Sequence, residues 1–421
     1  MSHNAVGGPV VLEIEVDPGE VGFDAARLQR IDQHFEEYVT TGKLPGWLAL
    51  VARRGKIAHL STHGMRDVES GKPVETDTLF RIYSMTKPIT SVAAMMLYEE
   101  GAFELTDPVS DFIPSFADLS VYTGGPARDP QTRPAIEPMR IWHLLTHTAG
   151  LTYAFNHLHP LDELHRRAGF EFGMASDLDL AACCDAWAEI PLLFDPGTRW
   201  NYSVATDVLG RVVEVASGQA LDEFFRTRIL DPLGMTDTGF QVAASDADRL
   251  ASLYAADPQG KARLHPKHEQ LYDTAFEPPK APSGGGGLFS SARDYHRFTQ
   301  MLLRRGELDG VRLLGARTVD FMTRNHLPGG ADLESLAMGA FSEVANAGKG
   351  FGLGFSVVDD PLAAKVLSSK GEFAWGGLAS TAFWVDPAED LTVLFLTQLM
   401  PSSTHPIKPY LHQLVYQALV D

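Results

Sequence analysis

The segments that read as strand stand at the two ends of this chain, and that placement constrains the fold more than any other feature. Near the start, Trp47–Ala52 and Lys56–Ser61 are short apolar runs separated by Arg53-Arg54-Gly55, which predicts a hairpin. The other strand candidates, Gly352–Val358, Ala382–Val385 and Leu391–Leu396, all lie in the last part of the chain. From Asp107 to about Pro282, helical segments alternate with loops rich in proline and glycine. Strands at both ends with helices between imply one α/β domain built from both termini and interrupted by a largely helical insertion. The domain is expected over 21–415, with its α/β part drawn from 21–106 and 283–421 and the insertion over 107–282.

Helical periodicity supplies the other elements. Ala25, Leu28, Ile31, Phe35 and Tyr38 recur at helical spacing and predict a first amphipathic helix. A long helix opens at Ser84, carries Val92, Met95, Met96 and Tyr98, and ends at Gly101, the residue that helix C-termini favour. Further helices are expected over Ile141–Thr148, Leu178–Ile190, Asp207–Ala216, Ala220–Ile229, Ala292–Arg304, Ala316–Thr323 and His405–Val420. Residues 1–20 lack periodicity, carry Gly7-Gly8 and read as a flexible N-terminal arm.

Composition narrows the partners. Hydrophobic types make up 44% of the 421 residues and charged types 21%, so the chain can build a sizeable core. No stretch approaches the ~18 uninterrupted apolar residues of a membrane span. The first eight residues lack a basic cluster followed by an apolar run, so no secretory signal is expected. A balance of 35 basic against 54 acidic residues gives −19, which argues against nucleic acid and anionic membranes as partners. The only cysteines, Cys183 and Cys184, are neighbours, and a bridge between neighbours is strained. No disulfide scaffold is expected, and the reducing cytoplasm is the expected address. Composition leaves the oligomeric state open.

Three short motifs have the residue types for nucleophilic chemistry. In Ser84-Met85-Thr86-Lys87, positions i and i+3 share a helix face, so the Lys87 ammonium can reach the Ser84 hydroxyl. The helix N-terminus adds free N–H groups and a positive dipole end, a setting that activates a serine. A chain with 24 serines and 11 lysines yields roughly one such match by chance, and a serine cap followed by a surface lysine reads the same way. Asn201-Tyr202-Ser203-Val204 places a tyrosine where a loop enters a helix. Near a lysine its phenol can move a proton; a ring anchored in the core is the plain alternative. Trp375-Gly376-Gly377-Leu378 precedes a strand, where glycines allow backbone to approach a ligand and an N–H to serve an oxyanion, or form a simple turn.

The order of these motifs carries a resemblance. Between the Ser-x-x-Lys and the Trp-Gly-Gly turn come Leu144-Leu145-Thr146-His147-Thr148-Ala149-Gly150-Leu151, then Pro196-Gly197-Thr198 before Tyr202-Ser203, then Gly286-Gly287-Leu288-Phe289-Ser290-Ser291-Ala292-Arg293-Asp294. From roughly residue 22 to 415 the chain resembles the serine β-lactamase-like superfamily of class C β-lactamases, D-alanyl-D-alanine peptidases and family VIII carboxylesterases. The resemblance implies a β-lactamase/penicillin-binding-protein-like α/β fold, an antiparallel sheet flanked by helices plus a mainly helical region, with the site in the cleft between them. It implies Ser84 as acylated nucleophile, Lys87 and Tyr202 as general-base pair, and the N–H groups of Ser84 and Leu378 as oxyanion hole. Trp375, Gly376, Gly377, Val204 and Tyr153 are expected to bind substrate, with no cofactor or metal. Two positions depart from the lactamase pattern: Val204 stands where class C enzymes have asparagine in Tyr-x-Asn, and Trp375 opens the motif that replaces Lys-Thr-Gly. These are the groups a lactamase uses for the amide and carboxylate of its substrate. Val and Trp imply an apolar cleft for neutral short-chain esters, the family VIII pattern. A β-lactamase, a D-alanyl-D-alanine peptidase or an acyltransferase using the same acyl-enzyme are the alternatives.

Other chemistries find less support. No Gly-x-Ser-x-Gly elbow, P-loop or Gly-x-Gly-x-x-Gly is present. His143 and His147 lie at i, i+4, with His157, His159 and His165 after them, but Leu144 stands where His-Glu-x-x-His requires glutamate. His147 is expected to order the loop beneath the site. A non-catalytic binding protein on this fold would be expected to lack Ser84, Lys87 or Tyr202, and all three are present.

Overall fold

A computed structural model describes residues 12–157, 159–171, 174, 177–338 and 347–421. The early hairpin forms from β1 (Gly46–Arg53) and β2 (Lys56–Asp67). Arg54 and Gly55 both take positive φ, +54° and +72°, which matches a two-residue turn to the twist of the strands. A short β3 (Lys72–Pro73) extends this side. The late strands are β4 (Lys349–Phe351), β5 (Ser356–Val358), β6 (Phe373–Gly376), β7 (Ala382–Asp386) and β8 (Leu391–Leu396). They form one antiparallel sheet in the order β4-β5-β6-β7-β8-β1-β2-β3. The two ends of the chain meet at β8 and β1, where Leu48 faces Leu396 and Val51 faces Val393.

Strand β1 is buried along its whole length because both faces of the sheet are covered. Leu48, Leu50 and Ala52 point into one core; Trp47, Ala49 and Val51 point into another. Burying a large side chain of this kind stabilises by ~1.5–3 kcal/mol. The second core is closed by α1 (Arg30–Thr40), through Ile31 and Phe35, and by the C-terminal helix Ile407–Tyr416, through Leu411 and Val415. The first is closed by α2 (Thr86–Glu99) and the helical region, including α3 (Leu180–Ala188), α4 (Ala205–Ser217) and α5 (Ala292–Leu303). No helix among the described residues is long and apolar enough to cross a membrane.

Several elements differ from the expectation. The single strand expected over 352–358 is the end of a hairpin: the chain reverses through Gly354, at φ +98°, and β5 returns along β4. The helix expected over Ile141–Thr148 stops at Leu145, because His147 takes φ +54°. Ala220–Ile229 is α-helical only over Leu221–Phe225 and then widens into a π turn at Arg226–Leu230. Strand β6 leaves no mark in the sequence, since Phe373–Gly376 is too short to show a period. Of the expected arm, residues 1–11 lie outside the described residues. Residues 12–20 are held: Glu15 donates its N–H to the Ile57 carbonyl, and its carboxylate accepts the Ile57 N–H at 2.8 Å.

Candidate active site

Ser84 sits where the Leu79–Arg81 strand, paired to Phe289–Ser291, turns into α2. The turn is forced. Tyr83 has φ +44°, a conformation that costs a non-glycine residue ~1–2 kcal/mol and persists only when its surroundings hold it. The clamps are close by: Tyr295 Oη donates to the Met85 carbonyl at 2.9 Å, Leu288 N–H to Thr86 Oγ1 at 3.1 Å, and Ile82 N–H to the Leu288 carbonyl at 3.1 Å. Ser84 itself is half-buried.

One helical turn on, Lys87 is 2% exposed, so it is not a surface lysine. Its ammonium donates to the Gly285 carbonyl at 2.6 Å, to Tyr153 Oη at 3.0 Å and towards Ser84 Oγ at 3.5 Å. A buried ammonium is tolerated only with such acceptors. Tyr202 reaches the same serine from the start of α4, and its Oη donates to Ser84 Oγ at 2.6 Å. The Lys87 ammonium lies 4.5 Å from the centre of the Tyr202 ring. Tyr202 is placed from behind by His147, Tyr153 and Trp375, with ring centres 4.9, 5.3 and 5.5 Å away. The Asn201 N–H donates to the His147 carbonyl at 2.9 Å, which ties the tyrosine segment to the loop beneath.

A third element comes from β6. Gly377 lets its turn lie against the chain entering Ser84; a Cβ there would stand 2.5 Å from the Ile82 carbonyl oxygen. The Leu378 N–H in this turn has no acceptor among the described residues, and the Ser84 N–H lies in the first turn of its helix, where donors lack intrahelical acceptors. Trp375 is buried, its ring edge-on to Phe351 at 5.3 Å.

Two expected substrate-binding residues are placed differently. Val204, 1% exposed, packs into the core at the start of α4 and presents no surface to a ligand. The Tyr153 hydroxyl is committed to Lys87 and Asp207. Burial, the Asp207 carboxylate and Tyr202 push this phenol well above its ordinary range, so it stays protonated. In sequence Asp207 marks only the start of a helix. It is 1% exposed and accepts from Ser283 Oγ at 2.5 Å and from the Gly285 N–H at 2.9 Å. On balance burial pushes its carboxyl up, against the opposing pull of Lys87 and these donors. The glycine run was the available signal: a Cβ on Gly285 would lie 2.4 Å from an Asp207 oxygen.

The histidines go elsewhere. Burial holds His143 down to about 3, and its Nδ1 accepts the Arg140 N–H. Burial, reinforced by Lys87, holds His147 well below its ordinary value, so it is neutral beneath Tyr202. Among the described residues no three His, Cys, Asp or Glu side chains converge as metal ligands would.

The Beta-lactamase family matches residues 31–417 of this chain. The chain belongs to the beta-lactamase family. Esterase EstB of Burkholderia gladioli is 34% identical over 91% of this chain and 93% of its own length. Among solved structures, EstCE1, described as a hydrolase with promiscuous acyltransferase activity, superposes with a TM-score of 0.76 at 28% identity, over 95% of this chain and 99% of that one. Simvastatin synthase (LovD) from Aspergillus terreus superposes with a TM-score of 0.77 at 25% identity, over 94% and 98%. This beta-lactamase family member is thus an enzyme of the serine hydrolase and acyltransferase class.

Proposed function

We propose that this beta-lactamase family member is a serine carboxylesterase of the family VIII type, acting on neutral short-chain esters through an acyl-enzyme on Ser84. The observation that carries the reading is one hydroxyl, Ser84 Oγ, held 2.6 Å from Tyr202 Oη and 3.5 Å from a buried lysine ammonium. Ser84 Oγ attacks the ester carbonyl carbon while the Lys87–Tyr202 pair takes its proton. The carbonyl oxygen becomes an oxyanion on the N–H groups of Ser84 and Leu378. The tetrahedral centre collapses, the pair returns the proton to the departing alcohol, and water repeats the sequence against the acyl-enzyme. Trp375 and Val204 offer no cation or amide to a lactam, which supports ester over lactam. Acyl transfer to a second alcohol is the same chemistry with another acceptor, and the activity named for EstCE1 favours testing it. The reading needs no metal, no cofactor and neither a nucleic-acid nor a membrane partner. Two cysteines that are free and buried fit a cytoplasmic setting.

The test is phosphonate labelling followed by intact mass and peptide mapping. A single adduct is expected on Ser84, lost in Ser84→Ala together with turnover of p-nitrophenyl butyrate while the fold persists. An adduct on Ser203 or Ser283 overturns the assignment.

A further inference from the structure

Two of the acceptors that hold Lys87, Gly285 and Tyr153, are themselves held by one carboxylate. Of its acceptors, Gly285 offers its carbonyl to Lys87 at 2.6 Å while giving its N–H to Asp207 at 2.9 Å. Tyr153 accepts from Lys87 at 3.0 Å and hydrogen-bonds to Asp207 through the same hydroxyl. Ser283 Oγ closes the cluster at 2.5 Å from Asp207. Every one of these partners donates to Asp207, the pattern of an ionised, acceptor-only carboxylate. Asp207 therefore sits one residue removed from Lys87 along two separate paths, with no part of its buried side chain open to a substrate.

We propose that Asp207 is a positioning residue of this site: through Gly285 and Tyr153 it fixes where the Lys87 ammonium stands and sets a negative charge beside it, next to Tyr202 and Ser84. The proposal rests on the reading of Ser84 as nucleophile and Lys87 with Tyr202 as its base. Other titratable groups around the cluster do not compete for this role. From α3, Cys184 faces Asp207 and is held well above its ordinary value by burial and then by Asp207, so it stays a thiol. Tyr153 stays a phenol and His147, which faces Lys87, stays neutral. Arg211, one turn further along α4, is engaged with Glu214 at 2.9 Å. Asp207 is thus the anion that compensates Lys87, and its charge acts on the protons of the Lys87–Tyr202 pair.

The sign follows directly. Activity requires the pair to have lost one proton, and a neighbouring negative charge opposes that loss. Removing the charge in Asp207→Asn makes the loss easier, so the acid limb of kcat/KM moves to lower pH by ~1 unit. The plateau falls ~10²-fold because Lys87 loses its placement. Profiles for p-nitrophenyl butyrate are compared among wild type, Asp207→Asn, Tyr153→Phe and Ser283→Ala, with phosphonate labelling of each. Tyr153→Phe keeps the charge but removes an acceptor of the Lys87 ammonium, which also eases the proton loss, so the limb moves the same way by less; Ser283→Ala keeps both the charge and that acceptor and leaves the limb in place. If Asp207→Asn does not fold, Tyr153→Phe decides alone. A limb unmoved in Tyr153→Phe, or in a folded Asp207→Asn, overturns the proposal while the wild type still labels on Ser84. A wild type that does not label on Ser84 overturns the underlying reading instead, and the proposal with it.

Discussion

Replacing Tyr202 by phenylalanine removes one oxygen atom and separates catalysis from stability. The ring stays packed against His147, Tyr153 and Trp375, at centre distances of 4.9, 5.3 and 5.5 Å. Among the described contacts, the change costs the 2.6 Å hydrogen bond to Ser84, worth ~1 kcal/mol. The chemical step loses general-base assistance, worth ~10²–10⁴-fold, which is ~3–5 kcal/mol of barrier. The expected variant melts within a few degrees of wild type yet turns over p-nitrophenyl butyrate at least ~10²-fold more slowly. Combination with Lys87→Met sharpens the test. Both side chains reach Ser84 Oγ, so the double variant should be hardly slower than the worse single variant. Losses that multiply in the double variant, or a Tyr202→Phe enzyme within tenfold of wild type, refute a shared proton path.

Gly285→Ala places a Cβ 2.4 Å from an Asp207 oxygen, so the loop or the carboxylate must shift, at ~1–3 kcal/mol in stability. Because the Gly285 carbonyl is the Lys87 acceptor at 2.6 Å, thermal melting and kcat should fall together; an unaltered kcat would show that Lys87 placement does not depend on this loop. Between ester and lactam, the lysine absent at Trp375 forgoes one charge-assisted hydrogen bond worth ~1.5–3 kcal/mol, while Val204, packed into the core, adds nothing for a lactam. Cephalosporin hydrolysis should therefore run ~10–10²-fold below butyrate ester hydrolysis in kcat/KM, and comparable rates on nitrocefin and the ester would favour a lactamase.

The sequence by itself determined what depends on near neighbours. The Ser84–Lys87 spacing placed both groups on one helical face, and the hairpin at Arg54-Gly55 and the period of α1 were plain because a turn or a helix repeats within a few residues. The separation of strand-like segments to the two ends required β8 to find β1, and it does. Tertiary structure alone decided which distant groups complete the site. Tyr202 approaches Ser84 across 118 positions of chain, and the Gly285 carbonyl approaches Lys87 across 198. No periodicity registers such pairs. It also decided that Val204 turns into the core and that the Tyr153 hydroxyl engages Lys87, since a side chain's direction at a loop-to-helix junction depends on what packs there. Asp207 is illegible in sequence for the same physical reason: an acidic residue in the first turn of a helix is ordinary, and only its place against Lys87, Tyr153 and the glycine loop gives its charge a task.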